Sequence, residues 1–248
     1  MKLITSPANP TYRQLLRLLQ ARGIRKYQQA LVSGEKIVRE LLASGSPEVL
    51  ALVSSSRHEN IEGLNAVSRL VLEPELFRQL DVCGTDFPLV LVRCAQPVEW
   101  AGSLPVGTCV ALAFQDPENV GSVLRSSVAF GVRDILLLEQ CASPFLPKAI
   151  RASAGAVFHC RFFAGPRLED IFHLPYPGQI VSLSAEGKPL AETVFSDPTM
   201  LVPGIEGAGI PARWREQSVS IPMDAGVESL NAAVATSIVL YHMAQRRR

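Results

Sequence analysis

Apolar residues recur along the chain in two registers, short continuous runs and three-to-four-residue stripes, and their alternation predicts an α/β protein. Asn9 followed by Pro10 predicts an N-capped helix whose stripe is Leu15, Leu16, Leu18 and Leu19 and whose end is Gly23. Gln29–Val32 reads as a strand, and Ser33-Gly34-Glu35 opens a helix carrying Ile37, Val38, Leu41 and Leu42. The pattern then repeats in weaker form, with strands at 49–53, 70–72 and 89–92 and a short helix at 73–80.

A second series begins near Cys109. Residues 110–114 are apolar throughout, as in a parallel strand covered on both faces. They run into Gln115-Asp116-Pro117-Glu118-Asn119-Val120-Gly121 and then a helix, SVLRSSVAF, closed by Gly131. A strand, polar loop and helix in that order place Asp116 and Asn119 at the carboxyl edge of the sheet, where open α/β folds bind ligands. Arg125 stands among Val123, Leu124, Val128 and Phe130, and an arginine in apolar company must reach a loop or an anion, because burial unpaired is costly. The plain alternative is an exposed helix arginine. Further strands are predicted at 135–138, 179–184 and 200–202 and in the alternation Phe158, Cys160, Phe162, with helices at 147–156 and 168–173. Residues 200–202 lead into Pro203-Gly204-Ile205-Glu206-Gly207-Ala208-Gly209, where glycines permit close backbone approach. No GxGxxG follows the first strand of this series, so a dinucleotide site of that type is disfavoured.

Residues 218–243 close the series. Val219, Ile221 and Met223 alternate as a strand end, and Asp224-Ala225-Gly226 breaks it. Ser229, beside Glu228, stands where an N-cap is expected, for a helix that starts at Leu230 and is apolar on nearly every side. Asn231 then falls inside the first turn of an apolar helix, a cost unless something uses it.

Length and composition organise these elements. The chain has 248 residues, enough for two ordinary domains, and the stretch from Gln96 to Gly107 with its prolines is the natural linker. The expected division is 1–96, a linker 97–107, and 108–248. No apolar run reaches membrane-spanning length and residues 1–6 lack the features of an export signal, so a soluble cytoplasmic protein is expected, with no membrane partner. Cys83, Cys94, Cys109, Cys141 and Cys160 are scattered without CxxC spacing, and His58, His159, His173 and His242 are isolated. Free thiols and no metal are therefore expected. A net charge of +1 hides an uneven distribution: residues 1–40 carry Lys2, Arg13, Arg17, Arg22, Arg25, Lys26, Lys36 and Arg39 against Glu35 and Glu40 alone. That bias fits a polyanion footprint, and equally a solvated helix face.

QDPENVGSVLRSSVAFG, VPGIEGAG and IPMDAGVESLNAAVA, in that order, resemble the three motifs of the SpoU (TrmH-type) RNA ribose 2′-O-methyltransferases of the SPOUT class, and PKAIRASAGAVFH resembles the stretch between the first two. LLRLLQARGIRKYQQALVSGEKIVRELL resembles the small L30e-like α/β RNA-binding domain that many members carry in front. The resemblance implies a C-terminal α/β domain with a mostly parallel sheet and a deep trefoil knot. It further implies S-adenosylmethionine bound among the motif loops, and a homodimer formed through that domain. Carried over residue by residue, it implies catalytic positions at Asn119, Arg125, Glu206, Ser229 and Asn231 and cofactor contacts at Gly204, Glu206, Ile221 and Leu230. The implied substrate is a ribose 2′-hydroxyl of structured RNA, ribosomal RNA before transfer RNA. Base methylation on the same fold and a non-catalytic RNA-binding protein are the alternatives.

Overall fold

A computed structural model describes residues 2–57, 68–100, 107–173, 176–204 and 212–246. In chain order the elements are β1 (Lys2–Ile4), α1 (Pro10–Arg17), α2 (Ala21–Tyr27), β2 (Gln29–Val32), α3 (Glu35–Ser44), β3 (Val49–Ser55), β4 (Arg69–Leu72), α4 (Pro74–Leu80) and β5 (Leu89–Arg93). There follow β6 (Val98–Glu99), β7 (Thr108–Leu112), α5 (Pro117–Ala129), β8 (Asp134–Leu137), α6 (Pro147–Ala152), β9 (Arg161–Ala164), β10 (Gln179–Pro189), β11 (Thr199–Val202), β12 (Ser218–Ser220) and α7 (Ala232–Gln245). Two compact units result, one of Met1–Gln96 with Ser143–Phe158, the other of Pro97–Ala142 with His159–Arg248. Residues 143–158 thus pack with the first unit, although their place in the chain assigned them to 108–248. The buried side chains Pro147, Ala149 and Ile150 of α6, which lies against β2, account for it. Most of the expected linker, 101–106, lies outside the described residues.

In the first unit a mixed five-stranded sheet has the order β1-β4-β3-β5-β2, with β5 antiparallel to both its neighbours. Asn9 Oδ1 accepts hydrogen bonds from the Thr11 and Tyr12 amides at 2.9 and 3.4 Å, and Pro10 fills the first helical position, so α1 starts where expected. Tyr12, Leu15 and Leu18 pack with Leu31, Val53, Leu72 and Leu89 from the sheet and with Phe77 and Leu80 of α4. Gly23 does not end this helix. The chain turns after Leu18 and starts α2 at Ala21, with Gly23 buried against the end of α1, where an added Cβ would stand 1.9 Å from the Arg17 carbonyl oxygen. Periodicity marked the glycine as a stop, whereas its use is close approach of two backbones. β1 escaped the sequence reading because three residues carry too little pattern.

The second unit is built on a seven-stranded sheet of order β12-β10-β11-β7-β8-β9-β6 in which every neighbouring pair is parallel. β7 is buried at all five positions, as the continuous apolar run predicts. Cys109, Ala111 and Ala113 join Leu136, Leu138, Met200, Val202, Leu168, Ile171 and Trp214 in one core cluster. β10 is longer than expected. It pairs with β12 on both sides of a register shift between Leu183 and Lys188, and Gly187 sits where a Cβ would meet the Ser218 backbone at 2.6 Å. Phe158 falls in a 3₁₀ turn, Ala156–His159, so the expected alternating strand begins only at Arg161. The expected trefoil knot bears on the second motif loop, of which 205–211 lie outside the described residues.

Candidate functional site

Because the sheet is parallel throughout, the carboxyl ends of β7, β11 and β12 open on one edge, and the three motif loops leave from it. Behind β7, Asp116 caps α5 by accepting from the Glu118 amide at 3.0 Å, with Pro117 at the first helical position. This cap fixes Asn119, half-buried, in the first turn of α5. Behind β11, Pro203 is buried and Gly204 half-buried; Glu206 lies outside the described residues. Behind β12, residues 221–231 form neither helix nor strand, with Ile221 and Leu230 half-buried and Ser229 exposed.

The N-cap of α7 is Asn231, not Ser229. Its Oδ1 accepts from the Ala233 and Val234 amides at 2.9 and 3.2 Å, so the helix begins at Ala232, two residues later than expected. The polar side chain that looked costly inside an apolar helix is therefore satisfied at its end. With its oxygen committed to the cap, Asn231 turns Nδ2 to Asn119 Oδ1 at 3.1 Å, and that bond joins the first motif loop to the third across 112 residues of chain.

Arg125 is exposed on α5, two turns beyond Asn119 and about 9 Å along the axis by helical rise. It makes no ion pair with a carboxylate among the described residues, so its apolar sequence neighbours face inward while the guanidinium faces solvent. Of the expected catalytic set, the structure brings Asn119 and Asn231 into contact and places Arg125 on the helix that bears Asn119. Ser229 stands exposed, two residues ahead of the Asn231 cap.

The sequence reading missed the serines that join the two helices of the site. Ser237 donates to Ser126 Oγ at 2.7 Å, Ser126 donates to the Ser122 carbonyl at 3.1 Å, and Ser122 to the Glu118 carbonyl at 2.8 Å. Their signal was available as a four-residue spacing of Ser122 and Ser126 in a helix otherwise apolar on its inner face. Phe130 and Tyr241 continue the contact edge-to-face, with ring centroids 5.6 Å apart. Between α5 and α7 lies an open groove of about 400 Å³ that includes Asn231, Val234, Ile238 and Tyr241.

This donor set suits a nucleoside cofactor. Residues 221–231 leave main-chain groups outside any ladder, Gly204 presents no side chain, and Ile221 and Leu230 supply half-buried apolar cover for a base. Among the described residues no three His, Cys, Asp or Glu side chains cluster. Three of the five thiols are poor nucleophiles. Burial pushes Cys94 up to about 11 and Cys160 up to about 12, and raises Cys109 further. No helix among the described residues is long and apolar enough to cross a membrane.

Comparison with known proteins follows the same outline. Residues 108–241 match the SpoU rRNA Methylase family. A protein of Syntrophobacter fumaroxidans named ribosomal RNA small subunit methyltransferase G 2 is 44% identical over 244 residues, covering 96% of this chain and 48% of that protein, so the chain spans about half the length of this relative. A 23S rRNA guanosine 2′-O-methyltransferase of Bacillus subtilis is 28% identical, with 98% of this chain and 99% of that one aligned. An S-adenosylmethionine-bound rRNA methyltransferase from Sinorhizobium meliloti shares the fold, with a TM-score of 0.77 at 24% identity over 99% of this chain and 98% of that one.

Proposed function

The chain belongs to the SpoU rRNA Methylase family, and from that premise we propose that it methylates a ribose 2′-hydroxyl of structured RNA, ribosomal RNA before transfer RNA, using S-adenosylmethionine. The observation that carries this reading is the Asn231–Asn119 bond, which closes the first and third motif loops on each other at the sheet edge where Gly204 and Ile221 emerge. When bound, S-adenosylmethionine supplies an electrophilic methyl carbon on a sulfonium, and its transfer to the 2′-oxygen releases the thioether and a proton.

The protein's own groups position and orient. Gly204, Ile221 and Leu230 hold the cofactor from the loops behind β11 and β12, and Glu206 orders the first of these loops. Asn119, fixed by Asn231, aligns the ribose, and Ser229 lies on the same approach. Arg125, unpaired on its helix and facing solvent, binds the phosphate beside the target ribose and steers the hydroxyl. A guanidinium holds its proton in water and is a poor base, so the proton leaves to a phosphate oxygen or to water. Alignment of donor and hydroxyl then supplies much of the acceleration. The first unit serves as the RNA-recognition part in the manner of an L30e-like domain, the second pairs with a second copy through α5 and α7, and the protein works in the cytoplasm.

Nucleoside mass analysis of unmodified ribosomal RNA incubated with protein and S-adenosylmethionine tests the reading. A 2′-O-methylnucleoside is expected; a base-methylated nucleoside supports the base-modifying alternative, and no transfer with intact RNA binding supports the non-catalytic one. Arg125→Lys is expected to lower the single-turnover rate about a hundredfold, the scale of losing one oriented donor. A near-normal rate would sink any role that needs guanidinium geometry.

A further inference from the structure

Two groups of cations stand out in the first unit. On α3, Arg39 pairs with Glu35 at 2.8 Å and Lys36 with Glu40 at 3.9 Å; on α4, Arg78 pairs with Glu75 at 2.8 Å; and Arg93 pairs with Glu48 at 2.6 Å. On α1 and α2, Arg13, Arg17, Arg22, Arg25 and Lys26 are all exposed, and none meets a carboxylate among the described residues. No acidic residue occurs in the chain before Glu35.

The arrangement of the second group is regular. Arg13 and Arg17 are four apart on α1, and Arg22, Arg25 and Lys26 are three and four apart on α2, so each helix carries its charges as one exposed stripe. Like charges at these spacings destabilise a helix, and a neutral or acidic residue at any of them would relieve it. The two stripes are held together. Gly23 lets α2 close on the Arg17 carbonyl, Arg17 donates to the Tyr27 hydroxyl at 2.8 Å, and Lys26 lies 5.5 Å from the Tyr27 ring. Five exposed cations on one helix corner, with no carboxylate partner among the described residues, make a surface that a chain of phosphates complements.

We propose that the α1–α2 corner is the docking surface for the RNA phosphate backbone, a surface separate from Arg125 that sets affinity and leaves the methyl-transfer step unchanged. The proposal rests on the RNA-methyltransferase reading for its partner and on the unpaired charges for its place.

The test compares the full-length protein with Arg13→Gln/Arg17→Gln, Arg22→Gln/Arg25→Gln/Lys26→Gln, and a control, Arg78→Gln/Arg93→Gln, which removes paired cations. Binding to a 30-nucleotide RNA hairpin is measured across a salt series. The corner variants are expected to bind at least about tenfold more weakly at 0.15 M salt, and the slope of log K against log[salt] should become shallower by about one for each lost phosphate contact. The control should keep both, and the corner variants should retain wild-type S-adenosylmethionine affinity and wild-type turnover at saturating ribosomal RNA. An unchanged salt slope in the corner variants, or an equal loss in the control, overturns the proposal. A wild-type protein that transfers no methyl to ribose yet shows these slopes overturns the enzymatic reading and leaves the docking surface standing. Ribose methylation with unaltered slopes does the reverse.

Discussion

Asn231 is one residue with two separable jobs. Its oxygen caps α7 and its amide nitrogen holds Asn119. Serine caps a helix about as well as asparagine but is too short to reach Asn119, whereas alanine does neither. Asn231→Ser is therefore expected to keep stability within about 0.5 kcal/mol of the parent, and Asn231→Ala to lose about 1 kcal/mol, by urea titration. Both should lose turnover on the order of a hundredfold, since Asn119, proposed to align the ribose, loses the bond that Asn231 gives it. Full activity in the serine variant would mean the bridge is not needed. This duality was only half legible in the sequence. The misfit of a polar side chain in an apolar run was visible, but whether the helix began at Leu230 or Ala232 decided whether it was a cost or a cap. A two-residue boundary shift lies within the reach of fraying and turn chemistry that periodicity does not resolve. Arg125 shows the converse limit. Its neighbours read as apolar company, yet on the folded helix they turn inward and it turns out, a distinction that needs the helix phase and the sheet together.

At the scale of elements, the sequence patterns hold wherever burial is on both faces or on one clear stripe. β7 and β11 are continuous apolar runs and appear as fully buried parallel strands, whereas α5 starts at Pro117 behind the Asp116 cap, five residues ahead of the Ser122 start read from the sequence. They fail where close approach rather than periodicity decides. Gly23 is the case with a consequence, because the corner it permits joins the two basic stripes. Gly23→Ala places a methyl group 1.9 Å from the Arg17 carbonyl oxygen, and a backbone atom cannot yield as a flexible side chain would. The corner must open. The expected cost is about 1 to 3 kcal/mol, as for overpacking elsewhere, measured by urea unfolding. A neutral or stabilising effect, as alanine usually has over glycine in a helix interior, would show that α2 can move off α1 without loss. Gly187 makes a similar approach to Ser218, where β10 resumes pairing after its register shift, and no sequence pattern foretold it, because the strand read from the sequence ends at 184.

At the scale of the whole molecule, α7 carries a stripe of exposed apolar side chains. A helix apolar on nearly every side should be covered on more than one, and the structure covers Ala233, Thr236, Val239, Leu240 and Met243, leaving Val234, Ile238 and Tyr241 at 49, 36 and 52% exposure. These three recur at four- and three-residue spacing along one stripe and border the groove that Asn231 closes. If a second copy covers this stripe, assembly and activity are tied, and the loop bearing Ile221 and Leu230 gains order in the pair. Such a face is self-complementary across a twofold axis, the commonest way identical chains associate. Val234→Asp/Ile238→Asp puts charges on the stripe without touching the buried face of α7. Light scattering is expected to find the parent as a dimer and this variant as a monomer, and calorimetry to find its S-adenosylmethionine affinity at least about tenfold weaker, because an order-dependent site binds only in proportion to its ordered fraction. The parent's specific activity should also fall on dilution through the dissociation range. A parent already monomeric at working concentration, or a monomeric variant with full cofactor affinity, would detach the stripe from the site and return α7 to a purely internal role.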